Sequence, residues 1–257
     1  MIRILFIGDI VKDAGCRFLA DKLPGLKRLY GVDLVVANGE NAAPGNGIQT
    51  KTAELLLGSG VDFLTTGNHV YRHREFYEYL DGDHPVVRPA NYPDGCPGRG
   101  WRVIDMVRYR LCVVNLMGTA FMEPLDNPFS TIDRILEEVE EKLILVDFHA
   151  ESTGEKRAMG YYLAGRVSAL LGTHTHVPTA DECILGGHTA YLTDVGMTGP
   201  SESVLGVRPE SVIERMRFQL PARFDPADGP CRLDAALLEL DEKTGRALSI
   251  ERVNVLG

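Results

Sequence analysis

The chain has 257 residues, with 44% hydrophobic and 25% charged residues and a formal net charge of −9. This composition is typical of a globular protein and excludes a disordered, collagen-like or disulfide-dense chain. No apolar run approaches the roughly 18 residues that a membrane-spanning helix needs. The acidic balance also argues against a protein that binds duplex nucleic acid by neutralising its phosphates.

The cysteines and the N-terminus indicate where the protein works. Five cysteines form an odd set without a Cys-x-x-Cys pair, which is typical of reduced thiols in a cytosolic protein. The apolar stretch Met1–Ile7 is too short for a secretory signal peptide because Asp9 interrupts it. We therefore predict a cytoplasmic protein.

Short β-branched runs alternate with amphipathic stretches along the first two thirds of the chain. Several of the runs are apolar on both faces, as strands covered by helices on both sides should be. The predicted strands are Arg3–Ile7, Leu34–Asn38, Phe63–Thr66, Leu111–Leu116, Leu143–Phe148 and Leu170–Thr173. The predicted helices are Cys16–Leu29, Thr50–Ser59, Arg74–Leu80 and Thr131–Lys142, the last with Thr131 as its N-cap.

The C-terminal third has a different pattern, with strands but no long helices. The strands predicted there are Ala190–Asp194, Leu233–Leu240 and Ala247–Val255. The strand–helix alternation at the start implies right-handed parallel crossovers, so a mixed sheet or a two-sheet sandwich flanked by helices fits the whole pattern. Pro89–Gly100 is rich in Gly and Pro and is predicted to be a loop with a functional role. No repeat or linker divides the chain, and we predict a single α/β domain spanning residues 1–257.

Polar side chains follow five of the predicted strands at their carboxyl ends. Ligands of open α/β sheets bind beyond those ends, so these side chains are expected to meet at one rim. They are Asp9, Glu40, Asn41, Asn68, His69, His149, His174 and His176. His174 and His176 are alternate residues of a segment predicted to be extended, which would point both the same way. The histidines at positions 73, 84 and 188 follow no strand and are assigned to the surface or the core.

The residue types at this rim indicate a metal site. Hard oxygen donors occur together with imidazoles and without a thiolate, a set that suits iron, manganese or zinc and not a structural zinc site of the cysteine type. Leaving out His69, seven potential ligands remain, too many for one ion. Two ions about 3.5–4 Å apart, bridged by a carboxylate, would use them all.

The order of these motifs resembles that of the calcineurin-like metallophosphoesterases. The motifs read Gly8-Asp9, Gly39-Glu40-Asn41, Gly67-Asn68-His69, a lone His149 and Gly172-Thr173-His174-Thr175-His176. Three positions depart from the common pattern: Val11 replaces a His, Glu40 replaces an Asp, and Val70 replaces an acid. These departures resemble a narrower bacterial branch, the YmdB-like 2′,3′-cyclic-nucleotide 2′-phosphodiesterases, over essentially the whole chain.

The resemblance implies a metallophosphoesterase-like mixed β-sheet sandwich flanked by helices, holding two metal ions. By the same resemblance, one ion is held by Asp9, Glu40, Asn41 and His176. The other is held by Glu40, Asn68, His149 and His174, with Glu40 shared. The ions implied are iron, with manganese or another divalent ion as the alternative.

The resemblance also implies the reaction. A metal-bridged hydroxide attacks the phosphorus of a 2′,3′-cyclic nucleotide, His69 is the general acid, and a 3′-nucleotide is released. Asp147, Glu151 or a backbone carbonyl is expected to orient a ligand imidazole, and Asn46-Gly47 and Gly196–Gly199 are candidates for the pocket wall. The implied partner is a small nucleotide, with no duplex nucleic acid and no membrane, and a homo-oligomer stays open.

Two other functions fit the same sequence. The site would serve equally for a metal-dependent phosphatase or phosphodiesterase acting on a phosphomonoester, a phosphoprotein or a 3′,5′-cyclic nucleotide. A regulatory protein that binds a metal or a nucleotide with little turnover is the third interpretation, and His69 argues against it because a sensor needs no general acid.

Overall fold

Two mixed β-sheets lie face to face, and helices cover their outer faces. The computed structural model describes residues 1–257. The strands are β1 (Ile2–Ile7), β2 (Asp9–Ile10), β3 (Leu34–Asn38), β4 (Phe63–Thr65), β5 (Trp101–Asp105), β6 (Arg110–Met117), β7 (Leu143–His149), β8 (Ala169–Thr173), β9 (Cys183–Leu185), β10 (Thr189–Leu192), β11 (Met197–Pro200), β12 (Cys231–Leu240) and β13 (Ala247–Leu256). The helices are α1 (Lys12–Tyr30), α2 (Thr50–Gly58), α3 (Phe76–Asp81), α4 (Pro128–Glu138), α5 (Thr153–Leu163) and α6 (Pro209–Phe218).

The strand order explains why distant parts of the chain meet at one rim. One sheet has seven strands in the order β2-β11-β12-β1-β3-β4, with β13 also paired to β12. The other has six in the order β5-β6-β7-β8-β10-β9. Strands β1, β3 and β4 run parallel, as do β6, β7, β8 and β10. The carboxyl ends of each parallel set therefore lie at one edge of its sheet.

The alternation of side chains along β1 shows how the layers are built. Ile4 and Phe6 point into the core between the two sheets, whereas Leu5 and Ile7 point to the opposite side and pack with Leu19 of α1. A third apolar cluster lies on the outer face of the six-stranded sheet, where α4 and α5 cover it. Because both faces of each sheet are covered, the central strands are apolar throughout, which is the pattern that predicted them.

Most predicted elements are confirmed, and the differences lie at edges and ends. The structure adds β2, β5, β9 and β11, which are short or at sheet edges, and the helices α5 and α6. Helix α1 begins at Lys12 rather than Cys16. Residues 89–100 form a loop as predicted, but none of them lines the cleft described below. None of the helices is long and apolar enough to cross a lipid bilayer.

The prediction that Thr131 caps α4 is wrong. The N-cap is Asn127, whose side-chain oxygen accepts hydrogen bonds from the backbone N–H groups of Phe129 and Ser130. Pro128 follows as the first helical residue, where its missing N–H costs nothing. The helix also ends at Glu138, four residues before the predicted end, because Val139 adopts an extended conformation.

Candidate metal centre

The carboxyl ends of β1, β3, β4, β7 and β8 deliver all the singled-out polar residues to one place. Glu40, which follows β3, lies at the centre and is fully buried. Glu40, His149 and His174 each offer a ligand atom, and these three atoms lie within 4.8 Å of one another. The two sheets therefore contribute to a single site.

One group of donor atoms surrounds the Nε2 atom of His149. This atom lies 3.1 Å from Oδ1 of Asn68, 3.0 Å from Nδ1 of His174 and 3.4 Å from Oε1 of Glu40. Side chains at the carboxyl ends of β3, β4, β7 and β8 thus converge on one point. Most of the atoms that face one another there accept hydrogen bonds, so they cannot all pair with each other.

Hydrogen bonds on the far sides of the two rings decide which nitrogens face the site. Nδ1 of His149 lies 2.9 Å from the hydroxyl of Thr173, which donates to Asp147 at 2.7 Å and so accepts from the ring. Nε2 of His174 lies 3.1 Å from the carboxylate of Glu151. In the neutral rings, the proton is on those far nitrogens, and the nitrogens in the site present lone pairs. Lone pairs and carboxylate oxygens that face one another fit a cation between them.

A second group of donors lies on the other side of Glu40. Nε2 of His176 is 3.6 Å from Oδ1 of Asp9 and 3.1 Å from the side-chain amide of Asn41, which donates to Glu40 at 2.8 Å. The Nδ1 atom of His176 donates to the carbonyl of Leu205 at 3.2 Å, so its Nε2 presents a lone pair to the site.

Asp9 and Asn41 complete the fit of this second group to a cation. Oδ1 of Asp9 is buried and has no hydrogen-bond partner, which is costly for a carboxylate unless a cation binds it. Rotation of the Asn41 amide by half a turn exchanges its nitrogen for an oxygen, the atom through which an amide ligates a metal. The donor set as a whole fits bound cations, with donors on both sides of Glu40.

The sequence left a carboxylate of Asp147, a carboxylate of Glu151 and a backbone carbonyl as alternatives for orienting an imidazole, and in the structure each of the three contacts a histidine of the site, directly or through one hydroxyl. Asp147 acts on His149 through Thr173, Glu151 contacts His174 directly, and a backbone carbonyl holds His176. Such partners fix the tautomer and the orientation of a ligating imidazole.

The expectation that His174 and His176 lie on an extended segment is wrong. Strand β8 ends at Thr173, and both histidines have positive backbone φ angles, of 100° and 63°. The segment is held from two sides. Asp9 accepts a hydrogen bond from the N–H of His174 at 3.1 Å, and Asp194 accepts from the N–H and the hydroxyl of Thr175.

The pKa values show that the site favours positive charge. Burial raises the pKa of Glu40, but the neighbouring His149 and His69 outweigh burial and hold it well below its usual value. Burial likewise opposes ionisation of Asp9, and His176 and His149 lower its pKa overall. Burial alone would lower the pKa of His149, whereas the carboxylates around it raise that pKa to about 9.

Two further groups complete the electrostatic picture. Burial and the nearby His149 lower the pKa of His174 to about 3, so this ring stays neutral. Burial raises the pKa of Asp147 to about 6, despite His149 and three hydrogen-bond donors that act in the opposite direction. The ionised carboxylates and the neutral His174 have the protonation states that metal ligands need, whereas His149 would give up its proton to a cation bound at its Nε2 atom.

His69 lies beside this donor set, at the edge of the cleft. Its Nδ1 is 3.0 Å from Oε1 of Glu40, and its backbone N–H donates to Oε2 at 2.9 Å. Its Nε2 points away from Glu40, 3.3 Å from the amide nitrogen of Asn46. The side chain is 30% exposed, so it is accessible from solvent.

The donor set opens into a cleft of ≈ 280 Å³. Its lining residues come from the loops after the strands and from the segment before α6: Val11, Lys12, Glu40, Asn41, Asn46, His69, Glu151, His174, Thr175, His176, Leu205, Gly206 and Val207. Asn46 is therefore part of the wall, as one candidate from the sequence suggested. The other candidate, Gly196–Gly199, is buried and does not line the cleft. This segment pairs with β2, and Met197 lies opposite Asp9 in that pairing.

Three residues near the site escaped the sequence analysis. Lys156 and Asp194 form a fully buried ion pair of 2.6 Å, with the Asp194 carboxylate also holding Thr175. Lys156 lies on α5, whose weak apolar periodicity concealed the helix. Lys12 lines the cleft, and its place directly after Gly8–Val11 was the only available signal.

Comparison with known proteins agrees with this geometry. The family model described as YmdB-like protein matches residues 5–253. The chain belongs to the YmdB-like family. The predicted resemblance to the YmdB-like branch of the calcineurin-like metallophosphoesterases is thereby confirmed, and the two mixed sheets flanked by helices confirm the predicted fold class.

Individual relatives of the YmdB-like chain cover almost its whole length. A 2′,3′-cyclic-nucleotide 2′-phosphodiesterase from Bacillus subtilis is 44% identical over 98% of this chain and 96% of its own. A hypothetical protein from Thermus thermophilus has a similar crystal structure, with a TM-score of 0.94, 44% identity and 99% of each chain covered. A structure described as a novel phosphatase from Mycoplasma pneumoniae has a TM-score of 0.94 and 33% identity, over 99% of this chain and 93% of that one.

Proposed function

We propose that this protein is a dinuclear metal-dependent phosphodiesterase that converts 2′,3′-cyclic nucleotides to 3′-nucleotides. The observation that carries the metal dependence is the set of lone pairs and carboxylate oxygens that face one another around Glu40, including the unpartnered Oδ1 of Asp9. The substrate is supported by the name of the Bacillus subtilis relative, which is 44% identical.

The assignment of ligands follows the two groups of donors. One ion would be held by Asp9, Glu40, Asn41 and His176, and the other by Glu40, Asn68, His149 and His174. Glu40 serves both because it contacts members of each group. Oxygen and imidazole donors without thiolate suit iron, and manganese is the next choice.

Bound cations in such a site supply two things: they polarise the phosphoryl oxygens, and they activate water for attack on phosphorus. The chain supplies the proton for the departing 2′-oxygen. We assign this role to His69, because Glu40 orients the ring through Nδ1 and leaves Nε2 facing the cleft. The assignment requires the Asn46 amide, which lies against Nε2 in this structure, to release that atom when substrate binds.

Two further proposals concern the chain as a whole. We propose that residues 1–257 form one domain, since the core between the sheets combines residues from Ile2 to Ala247. We also propose that the protein works in the cytoplasm, where its five unpaired cysteines would stay reduced.

A substrate panel tests the reaction. One preparation of metal-loaded enzyme is assayed on 2′,3′-cyclic nucleotides, 3′,5′-cyclic nucleotides, linear phosphodiesters and phosphomonoesters. We expect the highest kcat/KM for the 2′,3′-cyclic class with little preference among bases, because metal-assisted chemistry acts on the phosphate, and we expect 3′-phosphates as the products. Exclusive formation of 2′-phosphates would refute the regiochemistry, and inactivity on every cyclic nucleotide would refute the substrate class.

A further inference from the structure

Lys12 is the single Lys or Arg among the residues that line the cleft. Its side chain is half-buried, and its ammonium group contacts two uncharged oxygens, Oδ1 of Asn46 and the carbonyl of Ala43 at 3.4 Å. An ammonium has three N–H donors. One donor of Lys12 is therefore left without a protein acceptor, and no carboxylate lies within salt-bridge distance of the ammonium.

The backbone at Lys12 is held in a conformation that a lysine rarely adopts. Its φ angle is 56°, in the left-handed region where glycine is favoured. Two hydrogen bonds impose this conformation: the N–H of Lys12 donates to the carbonyl of Asn41 at 2.9 Å, and the N–H of Val11 donates to that of Thr198 at 2.8 Å. Strained non-glycine residues cluster at functional sites, and this lysine lies in the wall of the cleft.

The contacts of Asn46 place the ammonium beside the reacting groups. The Asn46 amide contacts Lys12 through its oxygen and approaches Nε2 of His69 through its nitrogen. The carbonyl of Asn46 accepts a hydrogen bond from Nε2 of His73 at 2.9 Å, which fixes the turn. A single amide thus separates the ammonium of Lys12 from the imidazole of His69.

We propose that Lys12 binds the anionic phosphoryl group of the substrate in this cleft. The inference rests on the proposed function, since a phosphodiester is the anion that this site would receive. An unpaired ammonium with a free donor attracts a phosphoryl oxygen as a point charge and supplies one charge-assisted hydrogen bond. Lys12 would also draw the phosphorus toward the donor set around Glu40 and His69.

The test measures phosphate binding directly and does not depend on turnover. Inorganic phosphate is titrated by calorimetry into metal-loaded wild-type protein, Lys12→Met and Lys22→Met. Lys22 lies on the same helix and pairs with Asp21 at the surface, so its variant makes the same change in charge outside the cleft. We expect the Kd for phosphate to rise about 10- to 100-fold in Lys12→Met and less than about twofold in Lys22→Met. Metal content and Tm should match the wild type in both variants.

Several results would overturn the proposal. These are an unchanged Kd in Lys12→Met, an equal weakening in Lys22→Met, loss of bound metal from Lys12→Met, or no phosphate binding by the wild type. A lysine that merely ties down the Asn46 turn would lower Tm and leave the Kd unchanged. Wild-type protein that binds phosphate through Lys12 but hydrolyses no 2′,3′-cyclic nucleotide would refute the proposed substrate and support the role of Lys12.

Discussion

Replacing Lys156 with methionine should destabilise the protein strongly, because it leaves a buried carboxylate without its cation. Lys156 and Asp194 lie 2.6 Å apart, with side chains 0% and 1% exposed. Removing one partner of a buried pair costs about 3–5 kcal/mol. Asp194 keeps hydrogen bonds from Thr175 and from the N–H of Gly196, so we expect the lower end, about 3 kcal/mol. For a chain of this size, that free energy corresponds to a Tm lower by about 6–12 °C.

Thermal unfolding followed by circular dichroism or calorimetry measures this effect. Lys142→Met is the matched control, because Lys142 is exposed and its variant makes the same change in charge. Its Tm should stay within about 2 °C of the wild type, as is usual for surface substitutions. A Lys156→Met protein as stable as the Lys142→Met protein would show that the buried pair does not stabilise the loop that carries His174 and His176.

Two further predictions concern catalysis and thiol reactivity. His69→Ala should retain its metal and lower kcat roughly 10²–10⁴-fold on a cyclic nucleotide. The loss should be smaller for a nitrophenyl ester, whose leaving group needs no proton, and an equal loss on both substrates would exclude the general-acid role. Burial raises the pKa of the Cys16 and Cys112 thiols to about 12, so iodoacetamide at about pH 8 should leave both unlabelled in the native protein. Labelling of either before unfolding, detected by mass spectrometry, would contradict their burial.

The central strands and the location of the site could be predicted because both follow from local patterns. A run such as Leu34–Asn38 is apolar on both faces only when helices or a second sheet cover both sides, so the strand is evident in the sequence. Polar residues directly after neighbouring parallel strands gather at one rim. The positions of Asp9, Glu40 and His149 were therefore predictable without coordinates.

The remaining features depend on long-range packing. Edge strands such as β5 bury little and carry a weak pattern, and α5 includes a buried lysine whose partner lies 38 residues away. His174 and Lys12 have left-handed backbone conformations, and their N–H groups donate hydrogen bonds to distant segments, which no local pattern reveals. The sequence placed His174 and His176 in the site on the assumption of an extended segment, and the true cause is the support from Asp9 and Asp194.

Metal stoichiometry tests the central claim most directly. The donor set around Glu40 divides into two groups, and the account predicts about two ions per chain in active enzyme, measured by elemental analysis against protein concentration. Chelation should remove both the ions and the activity, and adding metal back should restore them together. A fully active preparation that contains one ion per chain, or none, would contradict the dinuclear account.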